Sequence, residues 1–404
     1  MSDDIHKLRP DGMLPSFLRD EIVAKMAYLD ENVASVTQDA SGELHFRMRR
    51  PLTESETETF NQRANRVIHT LVSTSRAPRI TIIEDYLDRP VPHADNPMNT
   101  LLAEGEIVQT GHGLYALGPL VAGLCHELES RLFQLGRSQG ATPYRFPPML
   151  PATYLEKIKY FKNFPHSLSF AVHLRENLDL IERFAAEARC QHDVLTFPTE
   201  SLSGIRQVLA PTVCHNFYLF LANRILPRDP MVATAHGTCF RHESINLDTL
   251  ERLWGFSMWE VIFVGSATRV QAALEQATRA SSALMQEFGL AYRLENASDP
   301  FFINDFGSQS SFQNIFDLKF EFRAKLPFKQ TTLAVGSRNY HQDFFGRQLQ
   351  ITLPDGSPAH SGCIGFGLER LAFALLAQYG TQRDAWPDSL RTPITMNPER
   401  LSSR

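Results

Sequence analysis

The sequence of 404 residues has no long apolar run: no window approaches about 20 uninterrupted apolar residues, so no membrane span is expected. The first residues, Met1 to Asp4, are acidic and contain no apolar stretch, which predicts the absence of a secretory signal. Five cysteines, an odd number at wide spacing, do not suggest a disulfide framework. Without a signal, we expect a cytoplasmic protein.

Several common site motifs are also missing. No glycine-rich loop follows a parallel strand, so neither a Rossmann nor a P-loop nucleotide site is indicated. There is no Cys-x-x-Cys or His-x-x-x-His pair, and spacing alone therefore gives little sign of a metal centre. A formal net charge of −5 weighs against a dedicated nucleic-acid-binding protein, although local basic patches could still exist.

The composition and the length indicate a globular protein of more than one domain. Hydrophobic residues make up 43% and charged residues 21%, which is typical of a chain with a large core. Residues 1–92 are predicted to form a small domain of mixed strands and helix. The elements expected there are a hairpin at 35–49, a helix at 53–71 capped by Thr53 or Ser55, and a strand at 79–83. A proline-bearing linker at 89–97 then leads into a second domain, 99–404.

The second domain shows long helical periodicities and a run of strands. Helices are predicted at 117–135 and 264–288. Strands are predicted at 142–148, 291–294, 314–322, 330–335 and 348–353. Residues 175–210 are interpreted as a mostly helical insertion. The pattern predicts an α+β fold, an antiparallel sheet flanked by helices.

One stretch near the C-terminus, 361–371, combines close glycines with a helix that follows at once. The helix is apolar except for Glu369 and Arg370 near its start. The positive end of a helix favours anions, so a cation at this position has no helix-dipole rationale. Arg370 is therefore interpreted as serving a group outside the helix, for which a polyphosphate is the natural candidate. A core helix with a surface arginine is the alternative.

A second stretch reads as strand, loop and strand, from Phe240 to Glu260. The second strand alternates, which puts Phe256, Met258 and Glu260 on one face. A carboxylate on the same face as Phe and Met is costly if it is buried without a partner. The charged residues around the loop are Arg241, Glu243 and Arg252.

These two stretches resemble motifs 2 and 3 of class II aminoacyl-tRNA synthetases. Within that class, the chain is most similar to the atypical zinc-containing seryl-tRNA synthetases and to their truncated relatives, the amino acid:[carrier protein] ligases. The resemblance covers roughly residues 100–380. It implies a class II synthetase-type antiparallel sheet flanked by helices, preceded by a small N-terminal domain. The helix at 117–135 and the strand that ends at Pro147-Pro148 resemble motif 1, which implies a homodimer.

The resemblance also implies how ATP, with magnesium, would be bound. Arg241 matches the residue that contacts the α-phosphate and the substrate carboxylate, and Glu243 the residue near the adenine amino group. Arg252 and Arg370 match the residues that meet the terminal phosphate, and Phe256 the aromatic under the adenine ring. Arg241 and Arg370 are the predicted catalytic residues. Each arginine taken singly could equally be a surface residue.

A zinc site is implied by the same resemblance, with Cys214, Glu260 and Cys363 as ligands. Three protein ligands leave a fourth position open, as in substrate-binding sites, and in the relatives it takes the α-amino group of the amino acid. A metal would explain why Glu260 faces inward. Two alternatives remain: Cys239 as the first ligand, or buried free cysteines that pack as small hydrophobes.

Gln330 and Asn339 lie near positions that the related enzymes use for magnesium and for the amino acid. In the related enzymes an acidic residue in a strand before motif 3 helps to hold magnesium, but Gln330 stands near that position here. Magnesium binding through this strand is therefore in doubt. Asn339 follows where the relatives place residues that line the amino acid pocket, and their zinc-anchored pockets take small amino acids.

The acceptor is predicted to be the phosphopantetheine thiol of a carrier protein, since the insertion at 175–210 lies where the relatives dock their carrier. Charging of tRNA, as by an atypical seryl-tRNA synthetase, is the alternative. The N-terminal unit has about half the size of their tRNA-binding domain and lacks a dense basic run. A non-catalytic synthetase paralogue is the second alternative, and the set of arginines speaks against it.

Overall fold

The structure is a computed structural model that describes residues 4–12, 14–39, 41–75, 80–192, 194–243, 247, 249–297 and 318–391. It has a small N-terminal unit followed by a large α+β unit built on one wide sheet. None of the described helices is both long and apolar enough to cross a membrane.

The N-terminal unit consists of a three-stranded antiparallel sheet and two helices. Its elements are β1 (Ile5–Leu8), α1 (Arg19–Met26), β2 (Val33–Gln38), β3 (Leu44–Met48) and α2 (Glu54–Thr74), with the strand order β1-β3-β2. The α2 helix begins with a capping box, because the Thr53 hydroxyl accepts from the Glu56 amide while the Glu56 carboxylate accepts from the Thr53 amide. This confirms Thr53 as the N-cap. The two layers enclose a core that includes Ile22, Phe46 and Phe60.

The large sheet has eight strands in the order β4-β15-β16-β17-β18-β14-β13-β7. Their bounds are β4 (Ile82–Asp85), β7 (Thr142–Tyr144), β13 (Met231–Phe240), β14 (Gly255–Gly265), β15 (Tyr292–Asn296), β16 (Lys319–Leu326), β17 (Thr331–Gln342) and β18 (His360–Gly367). All neighbouring pairs are antiparallel except β7 and β13, which run parallel. The predicted α+β fold with a helix-flanked sheet is confirmed, with this one parallel pair as an exception.

Helices cover both faces of the sheet, and the alternation of each strand sends side chains into two separate cores. On β14, Trp259, Val261 and Phe263 join one core, and Ile262 and Val264 join the other. The first core is closed by α4 (Pro119–Ser138), α9 (Ala267–Glu287) and α11 (Leu368–Tyr379). The second is closed by α5 (Ala152–Lys157), α8 (Cys214–Phe220) and α10 (Phe344–Leu349).

Shorter elements surround this framework. They are α3 (Pro97–Ala103), β5 (Ile107–Gly111), β6 (Leu114–Leu117), β8 (Met149–Pro151), α6 (Tyr160–Asn163), β9 (Phe170–Ala171), α7 (Leu178–Glu187), β10 (Arg189–Gln191), β11 (Val194–Thr196), β12 (Gln207–Leu209) and α12 (Asp388–Arg391). The pairs β5-β6 and β10-β11 are hairpins, and β8-β12-β9 form a small sheet.

The domain boundary placed at residue 92 stays a prediction, and the contacts of the residues before it can be described. The elements of the N-terminal unit end with α2, whereas β4 is an edge strand of the large sheet, paired with β15. The proline-bearing segment after it is also tied to the large unit, because the His93 amide donates to the Gln378 carbonyl at 3.0 Å. Both β4 and the segment around His93 therefore contact the large unit.

Two secondary-structure predictions need correction. The described residues of 175–210 are not mostly helical: they form the α-helix α7, the exposed hairpin β10-β11, a single 3-10 turn at Thr199–Ser201 and the strand β12. The strand predicted at 348–353 is wrong, because α10 ends at Leu349 and Gln350 adopts a left-handed conformation with φ of 55°. The strand predicted at 314–322 corresponds to β16, which begins at Lys319. Residues 314–317 lie outside the described residues.

Candidate active site

A cavity of about 1580 Å³ lies on one face of the large sheet, where side chains of β14, β17 and β18 line it. Its wall contains eight of the nine residues that the sequence predicts for the site, namely Cys214, Arg241, Glu243, Arg252, Glu260, Asn339, Cys363 and Arg370. The ninth, Phe256, lies directly beneath one of them: its ring centroid is 5.4 Å from the guanidinium carbon of Arg241. The structure thus brings the whole predicted set together.

Cys214, Glu260 and Cys363 form a buried group at one end of this cavity. Their ligand atoms all lie within 4.8 Å of one another. They come from three different elements, α8, β14 and β18, and Glu260 stands opposite Gly365 in the sheet. A Cβ atom at Gly365 would lie 3.0 Å from the Glu260 Cγ, so the glycine leaves the space that this carboxylate occupies.

The Glu260 carboxylate is bonded on one side only. Its Oε1 accepts a hydrogen bond of 2.5 Å from the Thr212 hydroxyl, whereas the buried Oε2 has no hydrogen-bond partner. Burial raises the pKa of Glu260 to about 8, and the negative charge of Cys363 acts in the same direction. A buried carboxylate with a free oxygen is costly, so this group is arranged for a ligand.

The two thiols complement the carboxylate. A hydrogen bond from Cys214 lowers the pKa of Cys363 to about 5 against the opposing effect of burial, whereas burial raises the pKa of Cys214. Two thiols and one carboxylate, all of which bind metals in their anionic forms, therefore lie together in one buried site. Sulfur and carboxylate donors with room for a further ligand suit a divalent cation such as zinc.

Cys239, the alternative first ligand, lies elsewhere. It is buried in a small apolar cluster with Val213 and Ala235, and among the described residues it belongs to no group of potential metal ligands. The geometry therefore favours Cys214. The other two cysteines lie outside the group as well, with Cys125 half-buried and Cys190 exposed.

Thr212 and Asn339 support this buried group. The Thr212 hydroxyl lies 2.5 Å from Glu260 Oε1, 3.5 Å from Cys214 Sγ and 3.8 Å from Met258 Sδ. Asn339 Nδ2 donates to the Ser337 hydroxyl at 3.0 Å and lies 3.8 Å from Cys363 Sγ. Asn339 was indicated by the sequence, but Thr212 was missed, since a lone threonine before a short helix carries no signal of this contact.

The arginines gather around Glu243 at another part of the cavity. Arg252 Nη1 lies 3.3 Å and Arg370 Nη2 lies 3.8 Å from the same oxygen, Glu243 Oε2. Burial raises the pKa of Glu243, but the positive charges of Arg370, Arg252 and Arg241 outweigh it, so the net shift is downward. Glu243 is therefore ionised at neutral pH and is the counter-ion of this cluster.

Backbone contacts hold two of these arginines in place. Arg370 Nε donates to the Glu251 carbonyl at 2.6 Å, and Arg241 Nε donates to the Pro211 carbonyl at 2.9 Å. The neighbouring Glu369 lies in the first turn of α11, at the positive end of the helix. Its carboxylate accepts a hydrogen bond from the Ser257 amide at 2.9 Å. Glu369 thus serves the helix start, while Arg370 extends to the cavity.

The position near Gln330 offers no carboxylate to a magnesium ion. Gln330 is exposed, adopts a left-handed conformation with φ of 51° and does not line the cavity. The adjacent strand β16 does bring an acid to the cavity, Glu321. It is already paired, at 3.1 Å with Lys319 and at 2.8 Å with Arg323.

The fold and this site define a class of protein. The structure resembles SerRS of M. kandleri, solved in complex with A. aeolicus tRNASec, with a TM-score of 0.70 and 20% identity, covering 95% of this chain and 76% of that one. It also resembles the cytoplasmic serine-tRNA ligase of Naegleria fowleri in complex with AMP, with a TM-score of 0.60 and 15% identity, covering 84% and 70%. The fold is that of the class II seryl-tRNA synthetases. No protein-family model matches the chain.

Sequence relatives identify the family within this class. The chain is 33% identical over 287 residues to amino acid--[acyl-carrier-protein] ligase 1 of Bradyrhizobium diazoefficiens, covering 71% of this chain and 86% of the relative. Ligase 2 of the same organism is 31% identical over 314 residues, covering 77% and 91%. The type-2 serine--tRNA ligase of Methanocaldococcus jannaschii is 24% identical over 337 residues, covering 80% and 64%. The chain belongs to the amino acid--[acyl-carrier-protein] ligase family.

Proposed function

We propose that this protein activates a small amino acid with ATP and transfers it to the phosphopantetheine thiol of a carrier protein. The observation that carries the proposal is one cavity whose wall holds both the arginines and the Cys–Glu–Cys group, in a chain of this family. The arginines suit a nucleotide polyphosphate, and the buried group suits the amino acid. A ligase of this kind has to hold these two substrates side by side.

In the first half-reaction, an oxygen of the amino acid carboxylate attacks the α-phosphorus of ATP. The new P–O bond gives the aminoacyl-adenylate, and the bond to pyrophosphate breaks. Arg241 and Arg370 would counter the charge on the phosphates, with Arg252 at the terminal phosphate and Phe256 beneath the adenine. No general base is required, since a carboxylate is already ionised at neutral pH.

Zinc is the metal that we propose for Cys214, Glu260 and Cys363. When bound, it would supply a Lewis-acid position for the α-amino group of the substrate, which would select amino acids over other carboxylic acids. Thr212 orients the Glu260 carboxylate, and Asn339 lies beside Cys363. Magnesium would arrive with ATP, for which strand β17 offers no carboxylate.

We expect Thr212→Val to weaken zinc binding by about tenfold to a hundredfold, because the carboxylate loses the donor that orients it. Valine keeps the shape of threonine but has no hydroxyl. Competition with a chromophoric chelator measures the affinity. The matched control is Thr278→Val, a buried threonine whose hydroxyl donates to the Leu274 carbonyl in α9, a helix of the first core that does not line the cavity. Equal affinities in the two variants would contradict the role of Thr212.

In the second half-reaction, the thiol sulfur attacks the adenylate carbonyl carbon. A C–S bond forms, the C–O bond to AMP breaks, and the thiol proton is released to solvent. We propose that the carrier docks near 175–210. Arg183 is already paired with Glu187 and Glu200, at 2.9 Å and 2.6 Å, so Arg175 and Arg189 would contribute more than Arg183 to the attraction of an acidic carrier.

The test has two stages. Amino-acid-dependent exchange of pyrophosphate into ATP measures adenylation without any acceptor, and we expect it with a small amino acid. Labelled amino acid and ATP are then incubated with phosphopantetheinylated carrier protein or with tRNA. We expect a thioester on the carrier and no charged tRNA. Charging of tRNA at the rate of adenylation, without thioester, favours the synthetase alternative, and no exchange with any proteinogenic amino acid favours the non-catalytic alternative.

We also propose that the protein is a cytoplasmic homodimer that pairs through α4 and the strand after it. Apolar side chains close to α4 in the chain are exposed: Leu102 at 48%, Val108 at 54% and Leu114 at 41%. A second copy would cover such surface. Light scattering at micromolar concentration should give twice the chain mass of 45.7 kDa. A monomeric mass would contradict the dimer.

A further inference from the structure

The N-terminal unit contributes to the wall of the catalytic cavity, although no motif of the sequence connects it with the site. Residues of α1, of β2 and of the turn between them line the cavity, among them Lys25, Tyr28 and Gln38. The segment 158–167 of the large unit lines it as well. At this junction Phe164 packs against the core of the N-terminal unit.

Tyr28 connects the N-terminal unit with the arginine cluster. Its hydroxyl donates to the His242 carbonyl at 3.4 Å. Its ring meets the His166 ring edge-on, with centroids 5.4 Å apart and planes at 76°. His242 stands between Arg241 and Glu243, so the Tyr28 side chain contacts the backbone between two of the residues that are assigned to ATP.

The same short segment is held by the large unit on other sides. The Arg241 amide donates to the Trp254 carbonyl at 2.9 Å, and the His242 amide donates to the Ser167 carbonyl at 3.1 Å. The His242 ring packs against the Trp254 ring, with centroids 5.1 Å apart. Tyr28 adds the contact from the N-terminal unit, and a residue held from several directions has little freedom to turn its side chain away.

The Tyr28 phenol is protonated at neutral pH, as an ordinary tyrosine is, and its surroundings shift its pKa further upward. Burial raises its pKa to about 12, and the nearby negative charge of Glu243 acts in the same direction, while Arg252 opposes both. At neutral pH the hydroxyl is therefore a hydrogen-bond donor, as its contact with the His242 carbonyl requires. These electrostatic partners are the two members of the Glu243–Arg252 ion pair.

We propose that Tyr28 is a positioning residue of the nucleotide site, and that the N-terminal unit thereby serves ATP binding. This inference rests on the proposed adenylation activity. Tyr28 acts through the backbone at His242, which sets the direction of the Arg241 and Glu243 side chains. Loss of the Tyr28 side chain would weaken ATP binding and leave the Cys214, Glu260 and Cys363 group, which is proposed to bind the amino acid, unchanged.

Pyrophosphate exchange tests this role through the separate KM values for ATP and for the amino acid. We expect Tyr28→Ala to raise the KM for ATP about tenfold and Tyr28→Phe about threefold, because phenylalanine keeps the ring contact and loses the hydrogen bond. The KM for the amino acid should stay within about twofold in both variants. The control is Phe17→Ala, which removes a comparably exposed aromatic of the same unit that does not line the cavity.

Three outcomes would overturn the inference. An unchanged KM for ATP in a folded Tyr28→Ala protein means that the contact has no function. Equal changes in both KM values and in kcat, together with a lower melting temperature, mean that Tyr28 only stabilises the fold. Absence of exchange in the unmodified protein removes the proposed adenylation itself, and this inference with it.

Discussion

Replacement of Cys363 by alanine is expected to release the metal and to reduce amino-acid-dependent pyrophosphate exchange by at least about a hundredfold. The side chain supplies one of three ligand atoms that lie within 4.8 Å of one another. It is also the group whose pKa is lowered to about 5, so it offers a thiolate at neutral pH. Without it, Cys214 and Glu260 remain as a two-ligand site. Elemental analysis of the purified chain should find about one zinc per subunit before the change and none after it.

Cys239→Ala is the matched control for this prediction, because Cys239 is as buried as Cys363 but lies in an apolar cluster. It should keep its zinc and its activity. Retention of zinc in both Cys214→Ala and Cys363→Ala would refute the ligand assignment. Loss of zinc in Cys239→Ala but not in Cys214→Ala would restore Cys239 as the first ligand.

Arg370→Ala should lower kcat/KM for exchange by about a thousandfold while zinc stays bound. The guanidinium is held by the Glu251 carbonyl and points to the Glu243 carboxylate, where the phosphates are proposed to lie. Its planar fork matches a phosphate, so Arg370→Lys should recover only part of the loss. Steady-state exchange over a range of ATP concentrations gives the constants.

Arg347→Ala controls for the loss of one arginine. Arg347 is exposed, pairs with Asp343 at 2.6 Å and does not line the cavity. Exchange should stay within about twofold of the unmodified protein, since exposed pairs contribute little. Full exchange by Arg370→Ala would exclude this arginine from the reaction, and loss of zinc in the same variant would indicate a wider distortion of the cavity.

The sequence predicted those parts of the fold that follow from local periodicity. The alternation of β14 put Phe256, Met258 and Glu260 on one face, and the structure has Met258 and Glu260 together on the cavity wall. The stretch from Thr53 to Glu56 marked the start of α2, with Thr53 or Ser55 as the predicted cap, and the structure shows a capping box at Thr53. Gln348 to Leu353 misled, because its apolar residues alternate like a strand, while in the structure α10 ends at Leu349 and only Thr352 of this segment makes isolated β-bridges.

The site was predictable to the extent that it lies in continuous motifs. The arginines and Cys363 stand in such stretches, and the structure gathers them in one cavity. Thr212 and Tyr28 could not be found in this way, since each acts through one contact that only the tertiary fold creates. Tyr28 and His242 are 214 positions apart in the chain. Similarly, the pairing of β4 with β15 joins residues about 200 positions apart in the chain.

The shared oxygen of Glu243 has a consequence for discrimination between anions. Arg252 and Arg370 already face a carboxylate, so an incoming anion exchanges with an internal one and does not meet bare cations. The free energy gained on anion binding is the difference between the new ion pair and the one with Glu243. This difference is small for a singly charged anion and larger for a chain of phosphates. Glu243 would thereby compete with small anions for Arg252 and Arg370, and we expect a chain of phosphates to displace it more readily than a singly charged anion does.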